Sequence, residues 1–256
     1  MKYSLLRIVA RPLKKYFYKV RYAKLVQKTG LPLYELGEDE KRGAELVWSD
    51  IVRQLQSSTN WLNHVIYPIG GAASPAFIGV LSRILIENKL STIIEFGVGQ
   101  TSKVLSNWAK ETGGQVFSIE HDSYWANECR QELEHDSHEI IYAPLKVGSS
   151  GYTWYDESAI MRSLDGQRAD LIIVDGPIGT ARWSRAGIID FFDNLHKDDW
   201  IVLWDDLHRY GDLESFSEFV HSKNISSGSI DVSFCQAFRT LGLVFTDKYR
   251  SLKYIT

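Results

Sequence analysis

The stretch that decides the fold runs from Thr92 to Asp122, TIIEFGVGQTSKVLSNWAKETGGQVFSIEHD. Its apolar opening predicts a buried strand that stops at a glycine turn, Gly97-Val98-Gly99. Two glycines two residues apart allow a sharp bend and leave bare main chain on which a ligand can lie. The residues that follow predict a helix capped by Thr101 or Ser102, and then a second strand that ends at Glu120.

The spacing of Glu120 points to a ligand, because it lies 23 residues beyond Gly97. In nucleotide-binding βαβ units an acidic residue about 20 residues after the turn holds a pair of ribose hydroxyls. We therefore predict a site for a nucleoside-bearing cofactor; the alternative is a tight turn followed by a surface glutamate. A dinucleotide fold would place a third glycine at position 102, where Ser102 stands.

The turn, Glu95-x-Gly97-x-Gly99-x-Thr101, resembles the first motif of the Rossmann-like S-adenosylmethionine-dependent methyltransferases. The resemblance implies that Glu95 orders the turn and the methionine end of S-adenosylmethionine, while the glycines face methionine and ribose. It also implies that Glu120 holds the ribose. The predicted cofactor contacts are Glu95, Gly97, Gly99, Thr101, Glu120, Asp175 and, at the adenine edge, His121.

Seven strands are predicted, and they define the fold class as α/β, with a Rossmann-like, mostly parallel sheet and an antiparallel last strand. The last two strands are joined by about six residues, which permits only an antiparallel pair. An antiparallel seventh strand resembles the methyltransferase domain and not the dehydrogenase domain. The strands are expected at 93–96, 116–119, 139–143, 171–174, 200–204, 230–234 and 241–246.

Three parts are expected along the 256 residues: a basic amphipathic segment over 1–34, helices over 35–90 that wall a substrate cleft, and the cofactor-binding domain over 91–256. Residues 1–34 carry nine basic side chains and no acidic one, whereas the rest of the chain carries 20 basic and 32 acidic residues. The net charge of −3 is therefore unevenly distributed, which indicates that the basic segment has a separate role.

Apolar residues recur at helical spacing in the N-terminal segment, with a predicted break at Pro12. Such a basic helix can lie in a membrane interface, or residues 1–28 can pack on a partner subunit or on the domain itself, and the alternatives stay open. Nucleic acid is disfavoured, because the acidic remainder of the chain would repel phosphates.

The two cysteines, Cys129 and Cys235, form neither a CxxC pair nor a Cys/His group, so we expect no zinc site and no disulfide. A reducing compartment is the expected location. No apolar run reaches the roughly 20 residues that span a bilayer, and no signal peptide is recognisable. We therefore expect a cytoplasmic protein, with peripheral attachment to the inner face of the membrane as an open alternative.

Three further acids are predicted where open α/β sheets bind their ligands, beyond the carboxyl ends of the strands. Asp175 follows the fourth strand, and Asp205 and Asp206 follow the fifth. Their oxygens would suit Mg²⁺ or another divalent cation that lowers the pKa of a substrate hydroxyl. The arrangement is similar to the metal site of the catechol-type O-methyltransferases, from which it departs at Ile178, the position of the family's lysine base.

Short motifs occur in order between Glu95 and Val220. They are Gly97-x-Gly99, Val116-Phe117-x-Ile119-Glu120-x-Asp122-x-x-Trp125, Val174-Asp175-Gly176-Pro177-x-Gly179, Ser184-Arg185 and Asp206-x-x-Arg209. Together they resemble the polysaccharide O-methyltransferases of the glucuronoxylan type. The resemblance implies that the methyl acceptor is a sugar hydroxyl of a glycan, a surface polysaccharide or a glycolipid precursor.

A sugar hydroxyl is too weak an acid to ionise unaided near neutral pH, so an enzyme must supply a base, a metal or both. Asp175 and Asp206 are candidates for proton acceptor or metal ligand, and His208 is a candidate base. The alternatives are a surface histidine at position 208 and helix N-capping by Asp205 and Asp206.

Three arginines are candidates for binding the acceptor. Arg182 and Arg185 can clamp a uronate or phosphate through bidentate contacts, or pair with Asp190 or Asp193 on their own helix. Arg209 follows Asp206 in the last motif. Two rival functions stay open: an NAD-dependent oxidoreductase would share the turn and the ribose acid, and a non-catalytic cofactor-binding partner subunit would not need the acid cluster.

Overall fold

The computed structural model describes residues 2–33, 36–62, 72–148, 151–227 and 230–255. Its helices are α1 (Lys2–Thr29), α2 (Glu38–Ser58), α3 (Pro75–Glu87), α4 (Gln100–Thr112), α5 (Ser123–Leu133), α6 (Glu157–Leu164), α7 (Gly187–Phe191) and α8 (Tyr210–Ser227). Its strands are β1 (Thr92–Phe96), β2 (Gln115–Glu120), β3 (His138–Tyr142), β4 (Leu145–Val147), β5 (Thr153–Tyr155), β6 (Ala169–Val174), β7 (His196–Trp204), β8 (Ile230–Gln236) and β9 (Thr240–Thr246). Short 3₁₀ helices cover Asn60–Leu62, Phe192–Asn194 and Asp247–Tyr254.

Seven strands form one sheet in the order β3-β2-β1-β6-β7-β9-β8. The first five pair in parallel, and β9 runs antiparallel between β7 and β8. The predicted fold class, a Rossmann-like sheet that is mostly parallel with an antiparallel last strand, is confirmed. Strands β4 and β5, which were not predicted, pair as a separate antiparallel ribbon.

Both faces of the sheet are covered, which explains why its central strands are apolar throughout: every residue of β1 and β6 is buried. One apolar cluster joins α2, α3 and α4 to the sheet and includes Trp48 and Trp108. A second lies under α6, α7 and α8 and includes Trp154 and Trp204. Helices α2 and α3, which precede β1, are therefore part of the main core.

Helix α1 continues from Lys2 to Thr29, so the predicted break at Pro12 is wrong. A proline removes one helical hydrogen bond and bends a helix, but it does not oblige the helix to end. The C-terminal half of α1 packs on the domain itself: Tyr22 Oη donates to Leu207 O at 2.7 Å, and Tyr18 Oη accepts from Tyr210 N at 2.6 Å. Contact with a membrane or a partner subunit stays a prediction.

Two local predictions fail around tight turns. The helix expected from Trp183 begins only at Gly187, because Trp183 and Arg185 have φ of 50° and 61°, outside the helical region. The N-cap of α4 is Gly99, and the expected caps, Thr101 and Ser102, lie inside the helix.

Asp122 caps α5, with its Oδ1 accepting from Trp125 N at 2.9 Å, and both cysteines are free and buried. A search of the helices within the described ranges finds none with the length and apolar character needed to cross a membrane.

We expect Gly79→Ala to lower the free energy of unfolding by about 1–3 kcal/mol, because overpacking a filled core costs that much. A Cβ at Gly79 of α3 would lie 2.5 Å from the ring of Trp48 on α2. Urea denaturation measures the effect. The matched control is Gly43→Ala on α2, where a Cβ meets nothing within 4 Å and alanine should stabilise the helix by about 0.5–1 kcal/mol. Equal effects of the two changes would contradict the packing argument.

Candidate cofactor and acceptor site

The glycine turn after β1 touches the turn after β6 through backbone alone. Gly97 has φ +98°, and a Cβ there would lie 3.0 Å from Gly176 N. A side chain at Gly97 would therefore separate two neighbouring strand ends. Gly99 differs, because a Cβ there meets no atom of the described residues within 4 Å. Both glycines line the cleft described below, as the sequence predicted for a bare surface under a ligand.

The amides of this turn are already used by the protein. Gly97 N donates to Ile119 O at 2.9 Å, and Gly99 N donates to Ser102 Oγ at 2.9 Å. Val98 N donates to Glu120 Oε2 at 3.3 Å. A pyrophosphate bound at a glycine turn needs such amides as donors. These three amides are not available for that purpose.

Glu95 lies beneath the turn and is fully buried. Its carboxylate accepts hydrogen bonds from Thr101 Oγ1, from Ser102 Oγ at 2.5 Å and from Ser118 Oγ at 2.7 Å. Burial raises the pKa of Glu95 to about 7, although the three hydroxyl donors act in the opposite direction. Glu95 is outside the lining of the cleft, so its place in the structure is the ordering of the turn.

Glu120 ends β2 beside the turn, where its carboxylate is fixed by backbone amides. Oε1 accepts from His121 N at 2.6 Å and from Asp122 N at 2.8 Å, in addition to the bond from Val98 to Oε2. Glu120 and His121 both line the cleft. The predicted ribose acid therefore has a rigid position, and it adds negative charge at the turn.

A cleft of about 340 Å³ lies over the carboxyl ends of β1, β2 and β6 and beside the turn after β7. One half of the cleft lies beside the glycine turn. The other, which we call the acid half, lies beside Asp175 and Asp206. The predicted site residues that line it are Gly97, Gly99, Thr101, Glu120, His121, Asp175, Arg185, Asp206 and Arg209. Glu95, Arg182, Asp205 and His208 are the predicted site residues outside its lining. Ala72 and Ala73, from the part that precedes β1, also line it.

The predicted acid cluster exists: oxygens of Asp175, Asp205 and Asp206 all lie within 4.8 Å of one another. Arginines occupy the same oxygens, however. Asp206 Oδ2 pairs with Arg185 and Arg209, and Arg239 Nη1 lies 3.2 Å from Asp205 Oδ2. The carboxylates therefore do not cap α8, which begins at Tyr210, and that alternative is wrong.

Arg185 is the centre of this network, and only 2 % of its side chain is exposed. Its guanidinium donates to backbone carbonyls at 2.7–3.3 Å, those of Val174, Asp175, Pro177 and Asp205. It also pairs with Asp206 Oδ2 at 3.1 Å and Asp212 Oδ1 at 3.4 Å. Arg185 thus ties the turn after β6 to the turn after β7.

Arg182 also has an internal partner, since its Nε donates to Glu214 Oε2 on α8 at 2.8 Å. The alternative in which these arginines pair with Asp190 or Asp193 is wrong, because the loop that carries them turns toward α8. Arg209, on the other hand, lines the cleft and is 36 % exposed. Among the three predicted acceptor-binding arginines, Arg209 is the one whose exposed guanidinium lies at the cleft.

Asp175 and His208 differ as candidate bases. Burial and the neighbouring Asp205 raise the pKa of Asp175 well above its ordinary value, although Arg185 acts in the opposite direction. Partial burial lowers the pKa of His208 to about 4, although Asp206 acts against it. The His208 ring is 40 % exposed, and its Nε2 lies 4.0 Å from Asp206 Oδ1. Asp175 is thus the stronger base, and it is the one that lines the cleft.

Tyr155 is a site residue that sequence reasoning missed. It ends β5 and lines the cleft, and its buried hydroxyl has no hydrogen-bond partner among the described residues. A Cβ at Gly176 would lie 2.2 Å from Tyr155 Oη, so the hydroxyl sits where the two turns meet. Its signal in the sequence is the aromatic run Tyr152-Thr153-Trp154-Tyr155. Arg239, which follows β8 at the other side of the cleft, was missed as well.

The strand order, the reversed β9 and the cleft at the glycine turn define a Rossmann-like methyltransferase fold. No protein-family model matches the sequence. No curated protein matches it either. Comparison with solved structures finds the O-methyltransferase of Bacillus cereus in complex with SAH (S-adenosylhomocysteine), with 12 % identity, a TM-score of 0.47, and coverage of 90 % of this chain and 100 % of that chain.

The same comparison finds two further solved structures. SAH-bound PaMTH1, a methyltransferase of Podospora anserina, is 13 % identical with a TM-score of 0.47, covering 88 % of this chain and 93 % of that one. Spermidine synthase of Thermotoga maritima is 12 % identical with a TM-score of 0.42, covering 64 % of this chain and 55 % of that one. At such values the likeness carries no conclusion about activity.

We expect Arg185→Met to lower the free energy of unfolding by about 3–5 kcal/mol, because it leaves buried carboxylates without their cation. Urea titration checks this. A lower urea midpoint with an unchanged slope would show that the substitution lowers the stability of the folded protein. The control is Arg182→Met, which breaks an ion pair whose arginine is 52 % exposed and should cost about 1 kcal/mol or less. A similar loss in both variants would show that Arg185 does not hold the strand ends together.

Proposed function

We propose that the chain is an S-adenosylmethionine-dependent O-methyltransferase. The observation that carries the proposal is the chemistry of the glycine turn, whose first three amides are bonded within the protein while Glu120 stands beside them. Such a turn disfavours a pyrophosphate and favours a ligand with positive charge. S-adenosylmethionine has two cationic groups, a sulfonium and an ammonium, and a ribose that an acid at position 120 can hold. The same observation argues against NAD.

In this proposal one half of the cleft binds the cofactor and the acid half binds the acceptor. S-adenosylmethionine supplies an electrophilic methyl group, whose bond to sulfur breaks as the acceptor oxygen attacks it. Gly99 leaves space for the cofactor, and Glu120 and His121 border that space. The acid half, with Asp175 and Asp206, then faces the acceptor. Following the resemblance of its motifs, we propose a sugar hydroxyl as that acceptor.

Asp175 is proposed as the general base. A sugar hydroxyl gives up its proton only as the new bond to carbon forms, and a carboxylate of raised pKa takes that proton more readily than an ordinary one. Asp175 lines the cleft with 22 % of its side chain exposed. Asp206 is held by arginines and serves to position Arg209. His208 is outside the cleft and is a weak base.

A divalent cation fits the acid cluster poorly. The three aspartates have the required proximity, but Arg185, Arg209 and Arg239 already bring three positive charges to their oxygens. Mg²⁺ would have to displace guanidinium groups that it also repels. We therefore propose that arginines balance the charge of the aspartates, and that the base, not a metal, accepts the proton.

We expect Gly99→Ala to weaken the binding of S-adenosylhomocysteine by about tenfold or more while the stability of the protein is unchanged. The added methyl group would enter the cleft and contact no atom within 4 Å in the part of the chain that the structure describes. Isothermal titration calorimetry gives the affinity, and thermal unfolding gives the stability.

Gly97→Ala is the comparison, because φ +98° and the contact with Gly176 should cost it about 1–3 kcal/mol of stability. Failure of the unmodified protein to bind S-adenosylhomocysteine, together with tight binding of NADH, would replace the proposal by an oxidoreductase.

We expect Asp175→Asn to abolish methyl transfer and His208→Ala to leave most of it. In the unmodified protein kcat/KM should fall with decreasing pH at a higher pH than an ordinary aspartate would give, because the base must be ionised and burial raises its pKa. Transfer of the tritiated methyl group from S-adenosylmethionine to glycan acceptors measures the rate. An activity lost on dialysis against EDTA and restored by Mg²⁺ would contradict the metal-free step.

A further inference from the structure

The cleft continues into an aromatic groove of about 510 Å³ that helix α1 helps to form. We call it the α1 groove; it is lined by Phe17, Tyr18, Arg21, Gly179, Thr180, Ala181, Arg209, Tyr210 and Gly211. Gly179 and Arg209 line the cleft as well, so the two spaces meet at the acid half. A molecule in the groove can therefore reach the neighbourhood of Asp175.

The wall that α1 contributes is fixed to the domain. Tyr18 Oη accepts from Tyr210 N at 2.6 Å and donates to His208 O at 3.3 Å, and Tyr22 adds its bond to Leu207 O. These bonds hold the helix directly at the turn that follows β7. The rings along the groove are consequently fixed in position relative to the acid half.

Phe17 is the apolar ring that this fixed wall leaves uncovered, with 61 % of its surface exposed. The Phe17 ring makes an edge contact with the ring of Tyr16, with 6.0 Å between the ring centroids. Aromatic faces bind flat or ring-shaped partners over a large apolar area. Phe17, which lines the groove, thus offers an exposed aromatic surface on which a sugar ring can pack.

The charge at the groove comes from arginines. The guanidinium of Arg21 lies 4.8 Å from the centroid of the Tyr210 ring, and no carboxylate pairs with it among the residues that the structure describes. Arg209 stands at the junction with the cleft. Arg21 also borders a second groove of about 720 Å³ along α1 and α8, together with Lys24 and Lys28. An acceptor with a carboxylate, and with further residues beyond its first ring, matches this series of spaces.

We propose that the α1 groove is the acceptor subsite, and that it selects an anionic glycan by packing a sugar ring on Phe17 and pairing its uronate carboxylate with Arg21. The inference rests on the proposed function, since it assigns the acceptor of that same reaction. It gives the basic N-terminal helix a role in specificity, in place of attachment to a membrane. Arg182, paired with Glu214, is not part of this recognition.

The test uses the whole 256-residue chain saturated with S-adenosylhomocysteine. Binding of 4-nitrophenyl β-D-glucuronide is measured during the titration by saturation-transfer NMR. We expect the neutral 4-nitrophenyl β-D-glucoside to bind more weakly. Phe17→Ala should weaken the glucuronide by about five- to tenfold, and Arg21→Gln should reduce it to the level of the glucoside. Tyr16→Ala is the matched control: its ring is equally exposed on the same helix but does not line the groove, so its affinity should stay unchanged.

Three outcomes would overturn the inference. The first is normal binding of S-adenosylhomocysteine with no binding of the glucuronide, and the second is equal affinity in Phe17→Ala and the unmodified protein. The third is an equal loss in Tyr16→Ala and Phe17→Ala, together with flotation of the protein on phosphatidylglycerol vesicles that both changes abolish, which would assign the helix to lipid. If S-adenosylhomocysteine itself does not bind, the proposed function fails, and that result is distinct from the other three.

Discussion

The structure depends on one buried cation, the guanidinium of Arg185. Strands β6 and β7 end side by side with their carbonyls and aspartates pointing into the same small volume, and a cluster of oxygens would not stay closed without compensation. Arg185 supplies it, with hydrogen bonds to four carbonyls and ion pairs to Asp206 and Asp212. The position of Asp175, and with it the acid half of the cleft, follows from this contact.

The opposite half of the cleft uses the same principle with the signs reversed. Three hydroxyls converge on the buried Glu95. The amides of Val98, His121 and Asp122 converge on Glu120. Each half is thus held by its own polar network and leaves few groups free to bind a ligand. The groups that face the cleft have clear chemistry: a negative region at the turn, and near the acids the partly exposed Arg209, which pairs with Asp206 and Asp212.

Local patterns predicted the fold and the turn well, because they depend on residues that are near in sequence. The spacing of Gly97 and Glu120 and the short link before β9 were sufficient for the βαβ unit and for the reversed strand. Arg185 was mistaken for an acceptor clamp, since nothing in its neighbourhood shows that carbonyls from two separate turns will enclose it. Tyr155 was missed for the same reason. Helix α1 was predicted as a helix, but its docking depends on Tyr210, which lies 192 residues after Tyr18.

That distance has a consequence for how the protein is made. Helix α1 precedes every strand of the sheet, yet the groups that bind Tyr18 and Tyr22 belong to the turn after β7 and the start of α8. On the ribosome the helix must therefore wait, with its aromatic and basic side chains unpaired, until most of the chain has emerged. The α1 groove is completed only when the start of α8 has emerged, although its α1 wall is translated before the strands, so a molecule truncated before α8 would have the glycine turn but no closed groove.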